Sequence, residues 1–132
     1  LQGLQDIWAM PKDGFSWTTA GYMGAISSGA STCGLLIGTG AAIGLRRGRG
    51  IEGIPEEHQE ARLAAIKEVN ELYQGFIREF GAADCRTLSG CDFSRPEDVQ
   101  KYVQQRVWKE TCDVYLRFVM TKCLEMAETE RT

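Results

Sequence analysis

At 132 residues, 43% hydrophobic and 25% charged, the chain has the composition of one soluble domain, large enough to bury a core without covalent staples. A net charge of −3 argues against a nucleic-acid partner, which would call for a basic face. Five cysteines, with no CxxC pair, haem-attachment motif or paired zinc knuckle, do not suit a secreted disulfide scaffold and favour a reducing, cytoplasmic compartment. The chain begins at Leu1 rather than a methionine, so residues upstream, with room for a targeting segment, are expected to have been removed or left out.

Residues 1–17 read as an irregular N-terminal segment. From Gly14 to Leu45 no residue is charged, a run long enough to test as a membrane span, for which about 20 apolar residues suffice. Ser16, Thr18, Thr19, Ser27, Ser28, Ser31, Thr32 and Thr39 interrupt it, and its strongly apolar part, Leu35 to Leu45, is too short. A glycine-rich buried helical hairpin is the favoured reading, with a membrane association the least favoured. Its arms are Thr18 to Ser28 and Thr32 to Arg47, with Gly29 as the stop between them and Ser31 or Thr32 as a cap. Gly34, Gly38, Gly40 and Gly44 fall in the second arm. Each weakens a helix by about 1 kcal/mol relative to alanine, which calls for compensation by close approach of another backbone. Arg46, Arg47 and Arg49 read as a solvated helix end.

A loop through Gly48, Gly50 and Gly53 precedes a helix opened by Pro55 at its first turn. Glu56, Glu57 and Glu60 lie at its positive end, a solvated face with a dipole role; His58, the single histidine, reads as a solvated residue there. This helix is expected to bury Leu63, Ile66, Val69, Tyr73, Phe76, Ile77 and Phe80 and to end at Gly81. After a connection holding Cys85, Gly90 and Cys91, Ser94 and Glu97 form a capping-box pattern. The chain then reads helical to about Glu128, with an interruption near Lys109. Its apolar stripe is Val99, Tyr102, Val103 and Val107, then Cys112, Tyr115, Leu116, Val119 and Cys123. No strand pattern or internal repeat appears, so the expected fold is all-α: a single-domain bundle in which two or three longer amphipathic helices follow the hairpin.

The cysteines are the residues with the most chemistry to offer. Cys33 opens an apolar helix, where free N–H groups and the helix dipole favour a thiolate; the alternative is a small buried packing residue. Arg86 would favour a Cys85 thiolate in the same way, and a Cys85–Cys91 disulfide is geometrically open across so short a loop. Cys112 and Cys123 share one stripe about 16 Å apart at 1.5 Å per residue, too far to bond to each other. Both face the core, and Cys123 reads as packing.

Cys33-Gly34-Leu35-Leu36-Ile37-Gly38, Cys85-Arg86-Thr87-Leu88-Ser89-Gly90 and Lys109-Glu110-Thr111-Cys112 together resemble the C_GCAxxG_C_C family of redox-active proteins. Its members are small prokaryotic proteins with four characteristic cysteines and a CGAxxG motif. The resemblance runs from about Gly21 to Met126. It implies that Cys33, with Gly34 and Gly38 as the motif glycines, Cys85 and Cys112 are the functional thiols. Leu35 stands where the motif has alanine, and the family's first cysteine has no counterpart before Cys33: either it lies upstream of Leu1, or it is lost and Cys91 or Cys123 would be its substitute.

Three functions remain open at this level. In a thiol redox protein Cys33 attacks and Cys85 or Cys112 resolves, serving an unidentified electron or thiol partner. In a metal or iron–sulfur protein Cys33, Cys85 and Cys112 are ligands, with Cys91 or a partner chain as the fourth. In a structural or interaction module the cysteines are packing residues and the glycine-rich hairpin is a docking or homodimer surface. The sequence names no cofactor.

Overall fold

The structure is a computed structural model and describes residues 1–12 and 17–129. The described residues form helices α1 (Gln2–Ile7), α2 (Trp17–Ala20), α3 (Met23–Ser27), α4 (Gly34–Arg47), α5 (Gln59–Phe80), α6 (Cys85–Ser89), α7 (Pro96–Gln104) and α8 (Cys112–Thr129). The fold is all-α. Extended pairing among the described residues is confined to an isolated antiparallel bridge, Thr32 with Asp84.

Helices α4, α5 and α8 make the core. An eleven-residue connection, 48–58, joins α4 to α5, and α5 returns antiparallel to α4: Arg46 and Arg47 near the end of α4 pair with Glu68 in the first half of α5. Phe76 of α5 is fully buried, its ring 5.7 Å from Tyr115 and 5.9 Å from Phe118 of α8. At the far end of α8, Cys123 feels the charges of Arg46 and Glu68, so α8 runs in the same direction as α4. The starts of α4 and α8 therefore lie at one end of the bundle.

The N-terminal segment expected to be irregular carries α1, and Leu4, Gln5, Trp8 and Met10 are buried; positions 13–16 of it, and with them Ser16, lie outside the described residues. Arg46 and Arg47 are not a solvated helix end, although Arg49 is exposed. The Arg46 guanidinium lies 4.6 Å from the Trp8 ring centre, and Arg49 donates to the Trp8 and Ala9 carbonyls at 3.3 and 3.1 Å. They fasten α1 and α5 to α4.

The first hairpin arm is broken at Gly21–Tyr22 into α2 and α3, and no residue of α3 is buried. Glycines at 21 and 24 give this stretch little helical drive. The second arm starts at Gly34 rather than Thr32, because Thr32 is extended and engaged in the bridge to Asp84. Of the α4 glycines, Gly38 meets the expected backbone, since a Cβ there would come 3.4 Å from the Leu1 nitrogen; the others do not. A Cβ on Gly34 would come 3.1 Å from Ile26, one on Gly40 would come 3.6 Å from Val69, and one on Gly44 would meet nothing within 4 Å. None of the described helices is long and apolar enough to cross a membrane.

Pro55 opens only a 3₁₀ turn, Pro55–Glu57; α5 starts at Gln59 with His58 as its N-cap, and the His58 ring Nε2 lies 2.7 Å from the Glu52 carbonyl. The helix ends at Gly81 in the left-handed conformation, φ 83°. Its buried face carries Leu72 and Phe76, whereas Leu63, Ile66 and Ile77 are exposed. Val69, Tyr73, Phe76 and Phe80 of the expected stripe belong to the core or pack against it; Leu63, two and a half turns from the buried Leu72, lies on the far side of the helix from it. The capping box is not formed. Ser94 spends its hydroxyl on Asp92 at 2.5 Å, Glu97 pairs with Arg95, and Pro96 opens α7. The interruption before α8 is real: Arg106 takes φ 50°, and a 3₁₀ turn, Val107–Lys109, follows.

Candidate functional site

Cys33 is the N-cap of α4, with ψ 127°. The preceding segment is held in place by two bridge hydrogen bonds: the Cys33 amide donates to the Ala83 carbonyl at 2.7 Å, and the Cys85 amide donates to the Ser31 carbonyl at 3.0 Å. Side chains alternate along extended backbone. Ser31, Cys33, Ala83 and Cys85 therefore share one face of the bridge, while Thr32 and Asp84 take the other. Cys33 and Cys85 are diagonal neighbours on that face, a relation that places Cα atoms about 7–8 Å apart in regular sheet. That is slightly beyond the ~4.4–6.8 Å range of a disulfide. The Asp84 carboxylate accepts the Thr87 amide at 2.8 Å, capping α6 and making Cys85 its first residue.

Cys112 enters from the third segment, as the first residue of α8. The Tyr102 hydroxyl of α7 lies 3.0 Å from its sulfur. The Thr111 hydroxyl is nearby at 3.8 Å, but its single hydrogen is donated to the Val107 carbonyl at 2.7 Å. Three cysteines from three segments thus stand at three helix starts at one end of the bundle.

They sense one another. Burial, opposed by the amides of Leu35 and Leu36, pushes the Cys33 thiol up, and charge on Cys112 adds to the rise. Burial, followed by charge on Cys33 and Cys112, pushes Cys85 up to about 11. This corrects two expectations. The helix-start amides do not give Cys33 a depressed pKa, because the side chain is buried and desolvation disfavours the thiolate. Arg86 does not activate Cys85 either; it pairs with Asp92 at 2.9 Å.

All five cysteines are free. The Cys85–Cys91 bond is not formed, and helix α6 with the left-handed Gly90 separates the two residues. Ser89 ties that turn together, its hydroxyl donating to the Cys85 carbonyl at 2.7 Å and accepting the Cys91 amide at 3.1 Å. Cys91 is fully buried, close enough for its charge to be felt at Cys85. Cys123 is also fully buried, about 16 Å along α8 from Cys112, and lies apart from the cluster. Among the described residues, no group of three or more His, Cys, Asp or Glu side chains is placed to hold a metal ion.

Tyrosines complete the surroundings, and sequence reasoning missed this. The Tyr22 hydroxyl donates to the Thr32 carbonyl at 2.9 Å and the Tyr115 hydroxyl to the Leu88 carbonyl at 2.8 Å. Tyr73 and Tyr115 are raised by burial first and also feel Cys33. With Tyr102, these are all four tyrosines of the chain. Each reads locally as an apolar-stripe or turn residue, and no sequence spacing links them to a thiol. The Ser31 hydroxyl is buried without a hydrogen-bond partner on the Cys33–Cys85 face.

No curated protein and no solved structure matches the chain. The family model described as "Putative redox-active protein (C_GCAxxG_C_C)" matches residues 1–126, and the chain belongs to that family.

Proposed function

We propose that this member of a redox-active family works by thiol–disulfide exchange, centred on Cys33 with Cys85 and Cys112. The observation that carries the reading is the convergence of three free thiols, from segments far apart in sequence, at one end of the bundle. Incidental packing cysteines have no reason to collect at three helix starts, whereas a disulfide-exchange site needs neighbouring sulfurs.

The chemistry follows the general exchange reaction. A thiolate of the cluster attacks one sulfur of a partner's disulfide. The S–S electron pair leaves on the other sulfur, which takes up a proton. A second thiol of the cluster then gives up its proton and attacks the mixed disulfide, releasing the partner's remaining sulfur as a thiol. The partner gains two electrons and two protons, and the protein ends with one disulfide. Cys33 and Cys85 are the expected final pair, since the bridge holds them as neighbours on one face and a small local shift brings them into bonding range.

The test is oxidation by oxidised glutathione followed by intact-mass and peptide mapping. The wild type should lose two hydrogens, reversibly with dithiothreitol. Cys33→Ser and Cys85→Ser should each abolish the Cys33–Cys85 bond. A wild-type protein that keeps all its thiols reduced would refute the reading.

A further inference from the structure

We propose that Tyr102 is a positioning residue that holds the Cys112 sulfur through its hydroxyl, and that Cys112, rather than Cys33, is the sulfur that first attacks a partner's disulfide. This rests on the thiol-exchange reading and assigns the order of its steps.

Access is the first argument. Cys33 is 6% exposed, and Cys91 and Cys123 are not exposed at all. Only Cys85 and Cys112 are partly open to solvent. An incoming disulfide must line up with the attacking sulfur, so the entry thiol is one of these two.

Hydrogen bonding then separates them. The Tyr102 hydroxyl lies 3.0 Å from the Cys112 sulfur, at normal hydrogen-bond distance for an O–H donor. A donor to the charged form favours that form. Cys85 has no side-chain donor of this kind; the Ser89 hydroxyl beside it is turned to the Cys85 carbonyl. The ring of Tyr102 is fixed from behind by Phe93, edge-on with centres 5.0 Å apart, so the phenol is held toward the sulfur. Cys112 also opens α8, a helix of 18 residues, whose dipole favours a negative charge at its start.

The groups facing Cys112 come from every neighbouring element. They are Cys33 before α4, Cys85 on α6, Tyr102 on α7, and Asp113 and Tyr115 on α8. Among these, Tyr102 is the one whose hydroxyl is aimed at the Cys112 sulfur. The other tyrosine beside it, Tyr115, donates its hydroxyl to the Leu88 carbonyl.

The sequence of steps balances. The Cys112 thiolate attacks the partner's disulfide and forms a mixed disulfide, and the partner's leaving sulfur takes up a proton. Cys85 loses its proton and attacks the Cys112 sulfur, which expels the partner's second sulfur. Cys33 loses its proton and attacks the Cys85 sulfur. The Cys112 sulfur leaves as the thiolate, and the Tyr102 hydroxyl donates to it again.

The experiment measures the pH profile of Cys112 alkylation by iodoacetamide, resolved by peptide, in the wild type and in Tyr102→Phe. The phenylalanine keeps the stacking on Phe93 and removes only the hydroxyl. The profile should move to higher pH by about one unit, an approximately tenfold slower reaction at neutral pH, while the Cys85 profile stays in place. An unmoved Cys112 profile overturns the proposal even where the disulfide still forms. The reciprocal measurement does not depend on the folding of that variant: in Cys112→Ala the Tyr102 phenol should ionise at lower pH, read as tyrosinate absorbance, and no shift counts against the contact. The entry role is read with oxidised glutathione in Cys33→Ser/Cys85→Ser and Cys33→Ser/Cys112→Ser, where no second thiol of the cluster remains to release the adduct: glutathione should be taken up faster on Cys112 in the first than on Cys85 in the second. Faster uptake on Cys85 overturns it. A wild type that takes up no glutathione and forms no disulfide overturns the exchange reading itself.

Discussion

Cys85 is the residue at which the balance of effects is easiest to read. Its helix-start position favours a thiolate, yet burial and the neighbouring thiols push its pKa up to about 11, so desolvation and like charge outweigh the dipole. Its alkylation rate should keep climbing with pH beyond the ordinary thiol value of 9.0, with no plateau by pH ~10. A plateau near pH 8 would contradict this. Gly29 is a second residue with a sharp consequence. It holds φ +76°, and a Cβ there would run into the Asp92 carboxylate and come 2.9 Å from the Ser94 hydroxyl. Gly29→Ala should therefore cost about 1–3 kcal/mol, measured as a lower urea midpoint. A change within a few tenths would show that the Asp92–Arg86 turn simply moves aside.

At the scale of elements, α6 is short and depends on its cap. Asp84 accepts the Thr87 amide, which holds its carboxyl below the usual range. The capping contribution is present above the ordinary carboxylate pKa and is lost as pH falls through the lowered one. Asp84→Ala should cost about 1 kcal/mol and, by loosening the segment that carries Cys85, slow formation of the Cys33–Cys85 disulfide. Asp84→Asn should keep most of the cap. Equal disulfide rates in wild type and Asp84→Ala would show that α6 does not set the sulfur geometry. Much at this scale was legible in the sequence. The stop of α5 at Gly81, the break before α8 and the grouping of Cys33, Cys85 and Cys112 follow from local pattern or from the family resemblance, whereas the start of α5, expected at Pro55, falls at Gln59. The pairing of Thr32 with Asp84 was not legible, because it joins residues far apart in the chain and leaves no periodic trace. The same holds for Tyr102, whose approach to Cys112 is set by the left-handed turn at Arg106 between them. The failure of the Ser94–Glu97 capping box has the same origin, a competing partner, Asp92, that the local motif does not include.

Over the whole molecule, three thiols and three phenols are stabilised in their neutral forms. Cys85 and Cys123 are raised to about 11, and Cys33, Tyr73, Tyr102 and Tyr115 are raised as well, burial being the leading cause for each. In the unfolded chain these groups release their protons at lower pH. Their contribution is thus fully present below the ordinary thiol range and is lost as pH rises through the folded values. The urea midpoint should be level between about pH 7 and 8 and fall steadily from about pH 9 toward 11; a midpoint independent of pH across that window would contradict the burial of the cluster. The bundle also explains why the five cysteines divide as they do. Cys33, Cys85 and Cys112 lie at the end where α4 and α8 begin, while Cys123 lies three turns down α8 among the residues of the core. The measurement that tests the central claim most directly is disulfide mapping after exposure of the native protein to oxidised glutathione. The account predicts a Cys33–Cys85 disulfide, reversed by dithiothreitol, with Cys91 and Cys123 still reduced. Five reduced cysteines, or a disulfide that includes Cys123, would contradict it.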